Sequence, residues 1–247
     1  MSYDIRFYRH QKKDKDLSSF TAVVKDTDLW VGVDSKSYRP EFKTKVEDLV
    51  WRERRGLEDF ITKEPEFKTS LGPYLVPPGA PSLAVIMARA GNQVGVGPMA
   101  AVAAAFAELV GKELMKLAEE VIVENGGDLF LKIKKKRKIS VYAGDDSPFS
   151  NRLALEVRPS ETPLGICTSS GIVGPSYSKG KAHGVVVVSP STPLADAAAT
   201  YLGNMIMDKE DVEKALEESK KISDIKGVLI IKDDKLGAWG KIRLTSP

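Results

Sequence analysis

Residues 99–133, MAAVAAAFAELVGKELMKLAEEVIVENGGDLFLKI, change their period once. Up to Glu120 the apolar residues recur at helical spacing and alanine dominates. From Val121 they form two short runs of valine, isoleucine, leucine and phenylalanine, which read as strands. Gly126 and Gly127 separate those runs, and a glycine pair supplies the positive φ of a tight hairpin turn. A small-residue helix followed by a hairpin is the expected local structure.

Working outward, the stretch is preceded by the apolar run LAVIMARAG (83–91), read as a strand, and by VGVGP (94–98). Pro98 suits the first position of a helix. Gly95 and Gly97 before it could present backbone N–H groups to an anion. The segment lacks both the P-loop lysine and the dinucleotide spacing, so a plain helix start explains it equally. After the hairpin comes another strand-like run, KISVYAG (138–144), and a bridging segment, 151–171. The same order then returns. HGVVVVSP (183–190) reads as a strand and STPLADAAATYLGNMIM (191–207) as a small-residue helix. A second helix follows at 208–223, then the hairpin VLIIKDDKLGAWGKIRL (228–244), turning near Asp233 and Asp234. Residues 83–145 and 183–245 are therefore expected to be two pseudo-repeats of strand, helix and hairpin, alike in pattern rather than in identity. They lie within one domain spanning 1–247. Ahead of them stand a hairpin pattern (20–34), a helical pattern ending at Pro65, and the Pro/Gly-punctuated segment LGPYLVPPGAPS (71–82).

Composition narrows the function classes. With 37 basic and 34 acidic residues the net charge is +3, which gives little support to nucleic-acid binding. The densest basic run, KIKKKRKISVY (132–142), reads as a charged hairpin tip, and WRERRG (51–56) as a solvated helix face. The N-terminal residues are too polar for a signal peptide and no apolar run approaches a membrane span, so a cytoplasmic protein without membrane contact is expected. A single cysteine excludes an intramolecular disulfide. His10, His183 and Cys167 cannot build a closed zinc site, so any metal must be held mostly by oxygen, which favours magnesium or calcium.

Three segments carry candidate chemistry. In STPLADAAATYLGN, Thr192 can cap and Pro193 can open the helix. Asp196 in the first turn suits the helix dipole. Thr200, four residues on, shares its face. A carboxylate and a hydroxyl, completed by carbonyls and ligand phosphates, is a common magnesium arrangement. Asn125, Gly126, Gly127 and Asp128 form either a plain turn or a bare backbone against which a ligand lies. Thr168, Ser169, Ser170 and Gly171 offer hydroxyls and open N–H groups suited to a phosphate or sugar. Cys167 beside them would need a base to act as a nucleophile, and His183 is the nearby imidazole in sequence. An inert buried thiol is the alternative.

These segments resemble the ApbE-like superfamily, whose named members are FAD:protein FMN transferases. The likeness is closest to a UPF-designated branch found in archaea and anaerobic bacteria. It is carried by VVKDTDLWVGVD, VGVGPMAAVAAAFAE, IVENGGDLFL, YAGDDSPFSNRLAL, PLGICTSSGIVG, PLADAAATYLGN and IKGVLIIKDDKLGAWG, nearly the whole chain. The resemblance implies an α+β fold of duplicated units, antiparallel sheets packed against helices, similar to the T-fold. It places magnesium on Asp196 and Thr200. It places a flavin, FAD or FMN, or another nucleotide phosphate at Asn125–Asp128 and Thr168–Gly171. Two departures stand out. The transferases carry a lysine on the helix before their glycine turn, whereas residues 100–107 here are alanine, valine and phenylalanine. Branch members read GHS where this chain reads Gly174-Pro175-Ser176. Flavinyl or phosphoryl transfer is thus one expectation, and a non-catalytic ligand-binding or assembly protein on the same scaffold is the other. Alanine-rich faces and open sheet edges are compatible with a homodimer.

Overall fold

Val185, Val186, Val187 and Val188 are all buried, which in a strand requires cover on both faces of the sheet. A computed structural model, describing residues 16–144, 147–172 and 179–247, shows how that cover is built. The strands are β1 (Leu17–Val24), β2 (Thr27–Asp34), β3 (Val121–Asn125), β4 (Asp128–Lys132), β5 (Arg137–Ser140), β6 (Ala154–Val157), β7 (Leu164–Ser169), β8 (Gly184–Ser189), β9 (Gly227–Lys232), β10 (Lys235–Gly240) and β11 (Leu244–Thr245). The helices are α1 (Phe42–Lys63), α2 (Glu66–Thr69), α3 (Ser82–Val94), α4 (Val102–Leu114), α5 (Thr192–Asn204) and α6 (Asp211–Ser219). Eight strands form one sheet in the order β1-β2-β3-β4-β7-β8-β9-β10, and β11-β6-β5 form a second, smaller one. Every pairing is antiparallel.

Alternation along the strands sorts the side chains between two cores. Leu29, Val31, Val121, Val123, Val185 and Val187 point to the helical layer, where α1, α3, α4 and α5 contribute Phe60, Met87, Phe106 and Leu202. Ile122, Val186 and Val188 point the other way, meeting Val141, Leu155 and Val157 from the small-sheet side. The mixed α+β architecture expected from the sequence is therefore the one observed.

The sequence-expected hairpins at 20–34, 121–132 and 228–240 are present, with Lys25, Gly126, Gly127 and Asp233 at positive φ in their turns. Residues 83–91, expected as a strand, are instead the body of α3. Its buried residues, Leu83, Ala84, Met87, Ala88, Ala90, Gly91 and Val94, follow the helical period, and Gly95 closes it in the left-handed region (φ 80°). The first pass thus does not begin with a strand. What recurs in the topology is a hairpin, a helical segment and a second hairpin: β1–β2, α1 to α4, β3–β4, then β7–β8, α5 and α6, β9–β10. The basic run at 132–142 is not a hairpin tip either. It carries the chain from β4 in the large sheet to β5 in the small one, and Arg137 within it is buried against Glu120 (2.7 Å) and Asp16 (2.8 Å).

Candidate functional site

Asp128 begins β4 directly after the Gly126-Gly127 turn, and its carboxyl is buried beside the end of β7. Burial pushes its pKa well above the usual carboxylate range, and the charge of Asp196 pushes in the same direction. The Cys167 thiol, the Thr168 N–H and Glu124 exert smaller effects, the first two favouring ionisation and Glu124 opposing it. Its Oδ1 is buried with no hydrogen-bond partner among the described residues. Unpaired buried oxygens of this kind cost roughly 1–3 kcal/mol each, so the position is maintained at the expense of stability.

Asp196 approaches from α5. Ser191 caps that helix by accepting from the Leu194 N–H, and Pro193 sits in its first turn. Asp196 is partly buried, and desolvation raises its pKa to about 7 against the opposing effect of the Ala104 N–H. That N–H donates to Asp196 Oδ2 at 3.4 Å, so Asp196 also supports the first turn of α4, which has no side-chain cap of its own. Thr200 is partly buried one turn further along, and its hydroxyl has no hydrogen-bond partner among the described residues.

The remaining sequence candidates lie around this pair. Asn125 is buried at the end of β3 and donates through Nδ2 to the Ala103 carbonyl (3.0 Å), a second tie to the start of α4. Glu124 accepts from the Gly127 N–H (2.9 Å) and shapes the turn. Thr168 and Ser169 end β7, where Ser169 faces the last turn of α5 at Gly203. Ser170 Oγ donates to the Ala182 carbonyl (3.3 Å) and accepts from the Ile172 N–H (3.1 Å). The Gly171 N–H also goes to Ala182 O (2.9 Å). Backbone groups at 170–172 are therefore partly engaged rather than wholly open. Gly174-Pro175-Ser176 and His10 lie outside the described residues.

Cys167 and His183 do not form a nucleophile and base. The thiol donates to the Thr192 carbonyl (3.4 Å), and burial together with the charges of Asp128 and Asp196 pushes its pKa well up. A protonated, enclosed thiol is inert. His183 is buried at the foot of the β9–β10 turn, its Nδ1 accepting from the Asp233 N–H (3.0 Å). One neighbour escaped the sequence reading: Glu108 of α4, buried among alanines, accepts from the Thr192 N–H at 2.6 Å and pairs with Lys112. A lone acid on an otherwise apolar helix face was the available signal.

Among the described residues no group of three or more His, Cys, Asp or Glu side chains is arranged to enclose a metal ion. Asp196 and Thr200 could supply only two oxygens. That suits magnesium, which keeps several waters and shares substrate phosphates, better than a fully protein-built cage. Among those residues, too, no single helix is long and apolar enough to cross a membrane.

A fold of this kind occurs in a known class. The flavin transferase ApbE of Vibrio cholerae superposes with a TM-score of 0.53, covering 91% of this chain and 96% of its own at 15% identity. The flavinyl transferase ApbE of Pseudomonas stutzeri gives the same TM-score and identity over 91% and 94%. At that identity the likeness is one of fold. Closer in sequence are a UPF0280 protein of Methanosarcina acetivorans, 42% identical over 76% of this chain and 75% of its own, and one of Methanocaldococcus jannaschii, 39% identical over 89% of each. A family model described as AbpE bacteria matches residues 9–238, and the chain belongs to that family, in its UPF0280 branch.

Proposed function

We propose that this protein binds a flavin or related nucleotide through its phosphates together with magnesium. In this reading Asp196 and Thr200 hold the metal, and the Asn125–Asp128 turn and the Thr168–Gly171 segment form the ligand's bed. The observation that carries it is the convergence of Asp128 and Asp196 from different elements, with Asp128 Oδ1 buried and unpartnered and neither carboxyl given a counter-ion among the described residues. A buried acidic pair of this kind is expensive unless something positive joins it. Magnesium bound there would draw charge from a pyrophosphate. The chain's own contribution is to fix Asp196 against the start of α4, through Ala104, and to bring Asp128, directly after the Gly126-Gly127 turn, within reach of its charge. The names of the Vibrio and Pseudomonas proteins make flavin the first ligand to try.

Whether chemistry follows binding turns on positive charge. The first turn of α4, Val102 to Ala105, carries none, which favours the non-catalytic reading over transfer, because phosphoanhydride cleavage needs developing charge neutralised. Thermal denaturation with FAD, FMN, ADP or ATP, each with and without magnesium, tests the site. A magnesium-dependent rise in Tm with a flavin, absent in Asp196→Ala, is expected. No rise with any ligand would refute the site. Release of AMP from FAD by the wild-type protein would decide for catalysis and against a binding scaffold.

A further inference from the structure

The site just described is short of cations. Asp128, Asp196 and Glu124 lie together there, Glu108 being already paired with Lys112, and the first turn of α4 is apolar. A bound pyrophosphate would meet several carboxylates, and one divalent ion cannot offset them all. A strap of residues, 179–182, lies against the same loop. A Cβ at Gly171 would fall 2.0 Å from the Gly180 carbonyl oxygen and 3.0 Å from Lys181 Cα, so the two backbones touch. On its other side the strap is fixed to the end of α5. A Cβ at Gly180 would lie 1.9 Å from the Gly203 carbonyl oxygen, the Lys179 N–H donates to Asn204 Oδ1 (2.8 Å), and the Lys181 N–H donates to Ile206 O (2.7 Å). Gly203 is three residues beyond Thr200 and faces Ser169. The backbone that carries Lys179 and Lys181 is thus held rigidly between the proposed phosphate segment and the proposed metal helix.

Both lysines are exposed, and neither side chain has a hydrogen bond or ion pair among the described residues. We propose that Lys181, with Lys179 beside it, supplies the positive charge for the phosphates of a nucleotide bound at Thr168–Gly171, in place of a cation on α4. The inference rests on the proposed ligand site. Its chemistry is that of a strongly hydrated point charge on a flexible stem, able to follow a pyrophosphate but not to clamp it bidentately.

The test is a titration of FAD and of riboflavin, which lacks phosphate, in magnesium buffer against three proteins: wild type, the double variant Lys179→Gln/Lys181→Gln, and Lys43→Gln, which alters a lysine on α1. The double variant should bind FAD about tenfold more weakly, with riboflavin unaffected and the difference shrinking at high salt. Lys43→Gln should match the wild type. Equal FAD affinity in the wild type and the double variant would overturn the lysine assignment and leave the site standing. Failure of the wild type to bind FAD at all would remove the site and this inference together.

Discussion

α4 and α5 are both 13-residue helices rich in alanine, each packed between hairpins on the same face of the large sheet, yet they are finished differently. α5 provides its own start, with the Ser191 cap and Pro193, and carries Asp196 and Thr200. α4 has no side-chain cap of its own and depends on Asp196 and Asn125 from elsewhere. Similar backbones therefore host unlike roles: one helix is a platform for polar groups, the other a surface on which they rest. Of the two helices, then, α5 carries the Asp196 and Thr200 side chains, while the first turn of α4 contributes backbone, the Ala104 N–H and the Ala103 carbonyl.

The largest expected effect concerns Asp196. Its folded-state pKa is raised from 3.8 to about 7, so the folded protein holds a proton that the unfolded chain has lost between those values. Its favourable contribution is therefore complete below the unfolded value and is lost as pH rises through about 7. Asp196→Asn keeps an oxygen for the Ala104 N–H and removes that penalty. Denaturant titration at pH 8 should find the variant more stable by on the order of 3 kcal/mol, with the gap closing by pH 4. A gap that widens toward acid would mean the carboxylate is paired, not desolvated. Next comes packing. A Cβ at Gly111 of α4 would lie 2.0 Å from the Phe130 ring, and Gly111→Ala should cost about 1–3 kcal/mol in urea unfolding. Glu108→Ala strands the Thr192 N–H, a loss of about 1–2 kcal/mol visible in the same assay. The smallest change should have the opposite sign. Gly203 of α5 has room, its nearest atom being Ser169 Oγ at 3.5 Å, so Gly203→Ala should stabilise by up to about 1 kcal/mol. Equal effects at Gly111 and Gly203 would break the distinction between the two helices.

Much of this was readable from the chain. The glycine pair at 126–127, the stop at Pro65 and the valine run at 185–188 each follow from local rules, and such rules place three hairpins and the helices α1, α4, α5 and α6. Residues 83–91 were misread because a short apolar run satisfies both strand and buried helix; length and the preceding Pro81 were the discriminating clues. The phase of the repeat was hidden for the same reason. The small sheet was missed because its closing strand, β11, pairs Leu244 with Leu155 of β6, far away in sequence, which no local pattern encodes. The proximity of Asp128 to Asp196 came from the family resemblance and not from spacing. Glu108 stood out only as a lone acid on an apolar helix face, and the strap lysines depend on tertiary contacts alone.

The two passes of the chain meet where β4 pairs with β7, and that ladder has three residue pairs, Leu129–Leu131 with Ile166–Leu164, against eight between β1 and β2. Asp128 of β4 and Thr168 of β7 both lie just beyond the same end of it. The thinnest seam of the large sheet would therefore also be the floor of the proposed site. Amide exchange that began at this seam would loosen the ligand bed before the rest of the sheet, and a ligand spanning it would act as a rivet between the halves.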